Sequence, residues 1–156
     1  MAKPSFVLDV DGVMNTGQFL YSEEGKAYKI FGPHDNDGLK LIKDKVAIQF
    51  ISSDKRGFAI TKKRITEDLG YALDLVSEED RLEYLKKRFD LSQLIYMGDG
   101  YHDASILKEC KFGIAPLSAR KEAREAADYV TESKAGEGAI LDACLEVLRR
   151  LQGGML

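Results

Sequence analysis

The fold is decided by the stretch Phe6-Val7-Leu8-Asp9-Val10-Asp11-Gly12-Val13, which combines an apolar run with two carboxylates. The short apolar run is typical of a parallel strand that is buried on both faces. Asp9 and Asp11 stand where this strand ends, and Gly12 lets the chain turn sharply. A calcium loop of the EF-hand type needs Gly at its sixth position and Glu at its twelfth, whereas here Gly12 is fourth and Leu20 is twelfth. The stretch therefore predicts a buried strand that presents a reactive acidic pair.

Strand-like and helix-like segments alternate along the rest of the chain. This alternation predicts an α/β fold, a three-layer doubly wound parallel sheet of Rossmann-like type, in a single domain over residues 1–156. Two aromatic runs around a polar turn predict one β-hairpin insertion at about residues 18–32, and the length leaves no room for a cap domain. The predicted strands are 6–10, 46–52, 73–76, 94–97, 112–115 and 129–131, and the predicted helices are 39–43, 58–69, one opened by Ser77, 104–110, 119–127 and 139–151.

Composition narrows the class of protein. The 156 residues carry a net charge of −3 and a pI of about 5.5, which argues against nucleic acid as a partner because backbone recognition needs a basic face. Two cysteines, Cys110 and Cys144, make neither a disulfide framework nor a zinc quartet. No stretch has the length of a signal peptide or of a membrane span. We expect a cytoplasmic protein with no membrane partner.

Polar groups stand at the ends of three predicted strands. The first strand delivers Asp9 and Asp11, the second delivers the segment 52–54, and the third delivers the segment 98–103, which contains Asp99 and Asp103. In an open parallel sheet, ligands bind outside the carboxyl ends of the strands, where the strand order reverses. Carboxylate and hydroxyl oxygens gathered there suit Mg²⁺ and a phosphate group.

The order and spacing of these motifs resemble the haloacid dehalogenase superfamily of phosphatases, in its capless branch. That branch includes 3-deoxy-D-manno-octulosonate 8-phosphate phosphatases and nonulosonate 9-phosphate phosphatases. The resemblance covers nearly the whole chain and includes the hairpin, the segment 31–40 and the segment 130–139. It implies a phosphoric monoester hydrolase that acts on a phosphorylated sugar acid.

The resemblance also implies the roles of individual residues. Asp9 attacks phosphorus and becomes an aspartyl phosphate, while Asp11 protonates the leaving oxygen and then activates water. Mg²⁺ would be held by the Asp9 carboxylate, the Asp11 backbone carbonyl and Asp99. Phosphate would contact Ser52, Ser53 and Arg81, with Gly12 and Asp103 supporting the site, and the substrate would lie near Asp35, Asp54 and Lys55.

The chain departs from the resembled pattern at four places. Arg81 stands where the family has a phosphate-neutralising Lys, and Lys86 or Lys87 on the same helix is the alternative to it. Ser53-Asp54-Lys55 replaces a Gly followed by Arg or Glu, Gly100 replaces a second Asp, and a late Arg is absent. These changes bear on the substrate rather than on the core chemistry.

Two further expectations concern assembly and alternative functions. In the resembled branch, hairpins of neighbouring subunits cover the active site, so the aromatic hairpin predicts a homotetramer. A phosphatase for another small phosphorylated metabolite is one alternative function, and a non-hydrolytic phospho-acceptor or structural subunit is another. A receiver domain is disfavoured, because its acceptor Asp follows a middle strand, and that strand here ends in Ser52-Ser53.

Overall fold

The structure is a computed structural model that describes residues 2–156. Six parallel strands form one sheet in the order β5-β4-β1-β6-β7-β8, and an antiparallel hairpin of β2 and β3 stands apart from it. The strands are β1 (Ser5–Asp9), β2 (Asn15–Ser22), β3 (Gly25–Phe31), β4 (Ala47–Ser52), β5 (Ala72–Leu75), β6 (Ile95–Met97), β7 (Phe112–Ala115) and β8 (Tyr129–Val130). The helices are α1 (His34–Ile42), α2 (Phe58–Lys62), α3 (Arg81–Arg88), α4 (Asp103–Glu109), α5 (Lys121–Ala126) and α6 (Ala139–Gln152).

The central strand β1 is covered on both faces, as its apolar sequence predicts. Phe6 and Leu8 point into one core, which α1 and α6 complete with residues such as Leu39 and Ile140. Val7 points to the opposite face and joins a second core with α3, α4 and α5. Because side chains alternate along a strand, one short run supplies both cores. The predicted doubly wound sheet with helices on both faces is confirmed.

The strand order places a switch point at β1. Strand β4 pairs with one edge of β1 and β6 pairs with the other, both in parallel register. The chain therefore moves outward in opposite directions from β1, and a crevice opens at the carboxyl ends of β1 and β6. Asp9 is the last residue of β1.

Three element boundaries differ from the sequence-based expectation for local reasons. Helix α1 begins at His34, five residues before the predicted start. The helix predicted over 58–69 consists of α2 followed by a π-helical segment, Lys63–Asp68, and Gly70 ends it with φ +79°. The Ser77 hydroxyl accepts a hydrogen bond from the Asp80 N–H in a turn, so α3 starts only at Arg81. Among residues 2–156, no helix combines the length and apolar character needed to cross a membrane.

Candidate active site

The predicted acidic residues meet in one cavity of about 240 Å³ at the carboxyl end of β1. Its charged lining comprises five carboxylates, one guanidinium and one imidazole. An anionic phosphate ester would meet net repulsion there unless a cation accompanied it. The lining residues are Asp9, Asp11, Gly17, Ser53, Glu78, Arg81, Asp99, Gly100, His102 and Asp103.

Three of these carboxylates form a tight cluster. Asp9, Asp99 and Asp103 each offer one oxygen, and these oxygens lie within 4.8 Å of one another. Burial raises the pKa of Asp9 to about 6, although the neighbouring Arg81 guanidinium opposes the rise. Burial, together with repulsion from Asp9 and Asp103, raises the pKa of Asp99 to about 9. The cluster therefore resists carrying all three negative charges by itself.

Gly12 makes room for this cluster. Its φ of +80° lies in the left-handed region, which confirms the sharp turn predicted after β1. A Cβ atom at this position would stand only 2.0 Å from Oδ2 of Asp99. Glycine is therefore needed for the backbone turn and also for the approach of Asp99 to Asp9.

Asp103 is held by groups on both of its oxygens. Oδ1 accepts from the Tyr96 hydroxyl at 2.5 Å and from Nη1 of Arg81 at 3.0 Å. Oδ2 accepts from the N–H groups of Asp99 and Gly100 at 3.1 and 2.8 Å. The Tyr96 and Arg81 donors hold the Asp103 carboxylate, which in turn binds two N–H groups of the loop that carries Asp99. The supporting role of Asp103 in the reaction stays a prediction.

Arg81 begins α3 and reaches into the cluster. The residue is only 2% exposed, and Nη1 of its guanidinium lies 3.4 Å from Oδ2 of Asp9. Its Nε is buried and has no hydrogen-bond partner among residues 2–156. Lys86 instead pairs with Glu109 on the surface, and Lys87 is exposed. Of the three cations that the sequence offered for charge neutralisation, Arg81 is the one that lies beside Asp9.

Asp11 turns away from the three-carboxylate cluster. Its Oδ1 accepts from Nδ2 of Asn15 at 2.9 Å, and Lys29 Nζ lies 2.8 and 3.1 Å from its two oxygens. The Asn15 Oδ1 atom accepts from the N–H groups of Gly12 and Gly17, so one buried amide shapes the whole turn after β1. The Asp11 carboxylate lies on the hairpin side of the cavity.

Two hairpin lysines near the site were missed by the sequence reasoning. Lys29 contacts both Asp11 and Asp54, and Lys26 lies 2.7 Å from Oδ2 of Asp54. Burial alone would raise the pKa of Asp54, but hydrogen bonds from both lysines lower it to about 2. The available signal was a lysine between Tyr28 and Ile30, in the middle of an otherwise apolar run.

Four of the predicted contact residues do not line the cavity. The Ser52 hydroxyl is buried and accepts from the Asp54 N–H at 3.2 Å, while Ser53 lines the cavity. Asp54 is engaged by the lysines, and Lys55 is exposed outside the cavity. Asp35 is buried, and its Oδ1 accepts from the Ile140 N–H at the start of α6. Asp35 and Asp54 thus join separate elements of the fold, and their predicted proximity to substrate stays a prediction.

The donor set fits a hard divalent cation. Both oxygens of Asp103 accept close hydrogen bonds. Oδ1 of Asp9 accepts from the Val10 N–H at 2.8 Å, whereas its Oδ2 lies 3.4 Å from Nη1 of Arg81 and is the more available oxygen for a cation that Asp9 and Asp99 share. Oxygen ligands of this kind are what Mg²⁺ requires, and positive charge would relieve the repulsion that raises both pKa values. The Asp11 side chain lies outside the cluster, so its predicted contribution through the backbone carbonyl stays a prediction.

Comparison with known proteins agrees with this geometry. The family model of haloacid dehalogenase-like hydrolases matches residues 10–143. The 3-deoxy-D-manno-octulosonate 8-phosphate phosphatase of Haemophilus influenzae is 32% identical over 141 residues, which cover 85% of this chain and 76% of that protein.

Solved structures give the same result. A 3-deoxy-D-manno-octulosonate 8-phosphate phosphatase from Moraxella catarrhalis, in complex with magnesium ion, phosphate ion and KDO, superposes with a TM-score of 0.80 at 25% identity and covers 98% of this chain and 91% of its own. The cobalt-bound phosphatase from Haemophilus influenzae gives a TM-score of 0.82 at 27% identity, with the same coverage. The resemblance inferred from the acidic motifs is confirmed: this chain belongs to the haloacid dehalogenase-like hydrolase family and is a phosphoric monoester hydrolase.

Proposed function

We propose that this chain is a Mg²⁺-dependent phosphatase of a phosphorylated sugar acid, such as 3-deoxy-D-manno-octulosonate 8-phosphate or a nonulosonate 9-phosphate. The observation that carries the proposal is the convergence of Asp9, Asp99 and Arg81 at the switch point of the sheet. The substrate class is supported by the names of the relatives above, which match nearly the whole chain.

The chain's own residues divide the reaction into two steps. In the first step, an Asp9 oxygen forms a bond to phosphorus while the bond from phosphorus to the ester oxygen breaks, and Asp11 gives that oxygen a proton. In the second step, Asp11 takes a proton from water as the water oxygen attacks phosphorus, which frees Asp9 and releases phosphate. Asp9 must be ionised to attack, and the Arg81 guanidinium beside it favours the ionised form.

Charge at the site must be balanced for an anion to enter. Mg²⁺ held by Asp9, Asp99 and the Asp11 backbone carbonyl would supply positive charge that lets nucleophile and substrate approach each other. Arg81 adds a fork of N–H donors beside Asp9 that suits phosphate oxygens. Ser53, on the cavity wall, would donate to a further phosphate oxygen.

The experiment is an assay of phosphate release from a panel of esters, with Mg²⁺ and with a chelator. The panel contains both sugar-acid phosphates, hexose phosphates and nucleotides. We expect turnover only with Mg²⁺, and a kcat/KM for a sugar-acid phosphate about tenfold or more above the other esters. We expect Asp9→Asn to lose turnover while its circular dichroism stays that of the wild type. Preference for another ester would make the chain a phosphatase of a different metabolite, and the absence of all turnover would make it a non-hydrolytic subunit.

We also propose that the chain forms a homotetramer through its hairpin. The hairpin carries aromatic side chains that are unusually exposed, with Tyr21 at 65% and Tyr28 at 66% exposure, beside the exposed Phe19 and Leu20. Exposed aromatic and aliphatic side chains of this kind are typical of a protein interface. Light scattering on the purified protein measures the mass, and a monomer would contradict the proposal.

A further inference from the structure

Lys29 in β3 is the most deeply buried cation contributed by the hairpin. Its side chain is only 1% exposed although the strand that carries it lies outside the main sheet. Nζ lies 2.8 Å from Oδ1 of Asp11, 2.9 Å from Oδ2 of Asp54 and 2.9 Å from Oγ1 of Thr61. A buried ammonium is costly unless it is paired and hydrogen-bonded, and here it has both kinds of partner.

The three partners of Lys29 use its full donor capacity. An ammonium has three N–H groups, and each can be directed at one of the three oxygen-bearing residues. These residues come from three places in the fold: the turn after β1, the loop after β4, and α2. Thr61 and Asp54 therefore fix the position of Nζ, and Nζ in turn fixes the Asp11 carboxylate.

Asp11 has little else to hold it. Its side chain is 33% exposed at the cavity, and its other side-chain partner is Nδ2 of Asn15 at 2.9 Å on Oδ1. Oδ2 is contacted by Lys29, at 3.1 Å. Without the ammonium, the carboxylate would keep the Asn15 hydrogen bond on Oδ1 and could rotate about that contact. Its orientation toward the leaving oxygen would then be lost for part of the time.

We propose that Lys29 is a positioning residue of the reaction, which holds the Asp11 carboxylate in the orientation that delivers a proton to the leaving oxygen. The inference rests on the proposed function, in which Asp11 is the general acid. Lys26 provides the contrast, because it comes from the same hairpin and, among residues 2–156, forms an ion pair with Asp54 and not with Asp11. A comparison of substitutions at the two lysines thus separates a general effect on the hairpin from a specific effect on Asp11.

Leaving-group chemistry distinguishes a positioning role from a structural one. An alkoxide is too basic to leave without a proton, so hydrolysis of an alkyl phosphate depends on Asp11. p-Nitrophenolate leaves without a proton, so formation of the phosphoenzyme from p-nitrophenyl phosphate does not depend on Asp11. Because kcat/KM reports the steps up to the formation of the phosphoenzyme, the ratio of the two kcat/KM values isolates proton delivery.

The experiment compares Lys29→Met with Lys26→Met in the full chain with saturating Mg²⁺. The substrates are p-nitrophenyl phosphate and the alkyl phosphate that the wild type hydrolyses best. For Lys29→Met we expect kcat/KM to fall about 10²-fold with the alkyl ester and by no more than about threefold with the aryl ester. For Lys26→Met we expect the ratio of the two values to stay that of the wild type.

Equal losses on both esters, or no loss on either, would overturn the inference. So would a change of the ratio in Lys26→Met as large as that in Lys29→Met. Circular dichroism shows whether Lys29→Met folds. Thr61→Val tests the positioning role without changing charge, because it removes one of the oxygens that hold Nζ of Lys29. Its alkyl-to-aryl ratio must fall in the same direction. A wild type that hydrolyses neither ester would refute the proposed function itself, which is a different result from an unchanged ratio.

Discussion

Gly12→Ala is expected to disable the active site while leaving the fold nearly intact. The new Cβ would stand 2.0 Å from Oδ2 of Asp99, against the 3.0 Å or more that a Cβ contact requires. The atom it meets is the end of a side chain, so Asp99 can yield without a shift of the backbone. The Asp99 carboxylate must then move by about 1 Å or more away from the new Cβ, and a misplacement of that size costs about 10²-fold in rate.

The same substitution at Gly70 is the matched control. Gly70 has φ +79°, almost the value of Gly12, but a Cβ there would meet nothing within 4 Å. Both variants force alanine into the left-handed region and should each lose about 1–2 kcal/mol in the free energy of unfolding. Only Gly12→Ala carries the additional collision with Asp99.

The two variants are compared by urea unfolding in a chelator and by kcat/KM with p-nitrophenyl phosphate over a Mg²⁺ titration. We expect the two variants to have similar free energies of unfolding, and Gly70→Ala to keep the kinetics of the wild type. For Gly12→Ala we expect weaker binding of Mg²⁺ in the titration and the 10²-fold loss of kcat/KM. A kcat/KM for Gly12→Ala within about threefold of that for Gly70→Ala would refute the reasoning. It would show that the position of the Asp99 carboxylate does not affect the rate.

Two other predictions concern the charges of the cluster. Arg81→Met leaves Asp9 and Asp103 without their buried counter-charge, so the free energy of unfolding at pH 8 should fall by about 3 kcal/mol. Lys86→Met breaks an exposed ion pair and should change the free energy of unfolding by less than about 1 kcal/mol. Equal effects of the two substitutions in urea unfolding would contradict this prediction. In the folded, metal-free protein the pKa values of Asp9 and Asp99 are about 6 and 9, against 3.8 for an aspartate in the unfolded chain. The folded state therefore binds more protons than the unfolded state, and the free energy of unfolding should fall as pH rises from about 4 to 9. Added Mg²⁺ should raise the thermal midpoint more at high pH than at low pH, and a midpoint in chelator that rises over this range would refute the account.

Local patterns were sufficient for the main features of the fold. Strand β1 could be predicted because its apolar run has to be buried on both faces, and the helical stretch predicted over 58–69 ends in the structure close to the expected residue, where Gly70 follows with φ +79°. The convergence of Asp9 with Asp99 followed from a rule of parallel sheets, that strand ends meet at one edge. These inferences need only the order of elements along the chain.

Contacts that depend on side-chain direction could not be predicted in this way. Asp35, which the resemblance places near substrate, accepts a hydrogen bond from the N–H of Ile140, 105 residues away, and no local pattern indicates that contact. Similarly, Ser52 and Ser53 are adjacent, and only the direction of each side chain at the end of β4 decides which of them lines the cavity. Alternation along a strand is clear in its middle and is lost where the strand ends.

The hairpin shows the same limit and its consequence for the site. Its aromatic residues indicated an interface, and its lysines at positions 26 and 29 were hidden by that stronger pattern. Yet Asp11 lies in a cavity that already has an excess of carboxylates, and Asp54 shares the Lys29 ammonium with it. The counter-charge of these two carboxylates comes from the two hairpin lysines. Charge balance at a buried site has to be completed from somewhere in the chain, because uncompensated carboxylates would take up protons. An inventory of cations near each predicted carboxylate cluster is therefore a better guide to such partners than the local pattern of the segment that carries them.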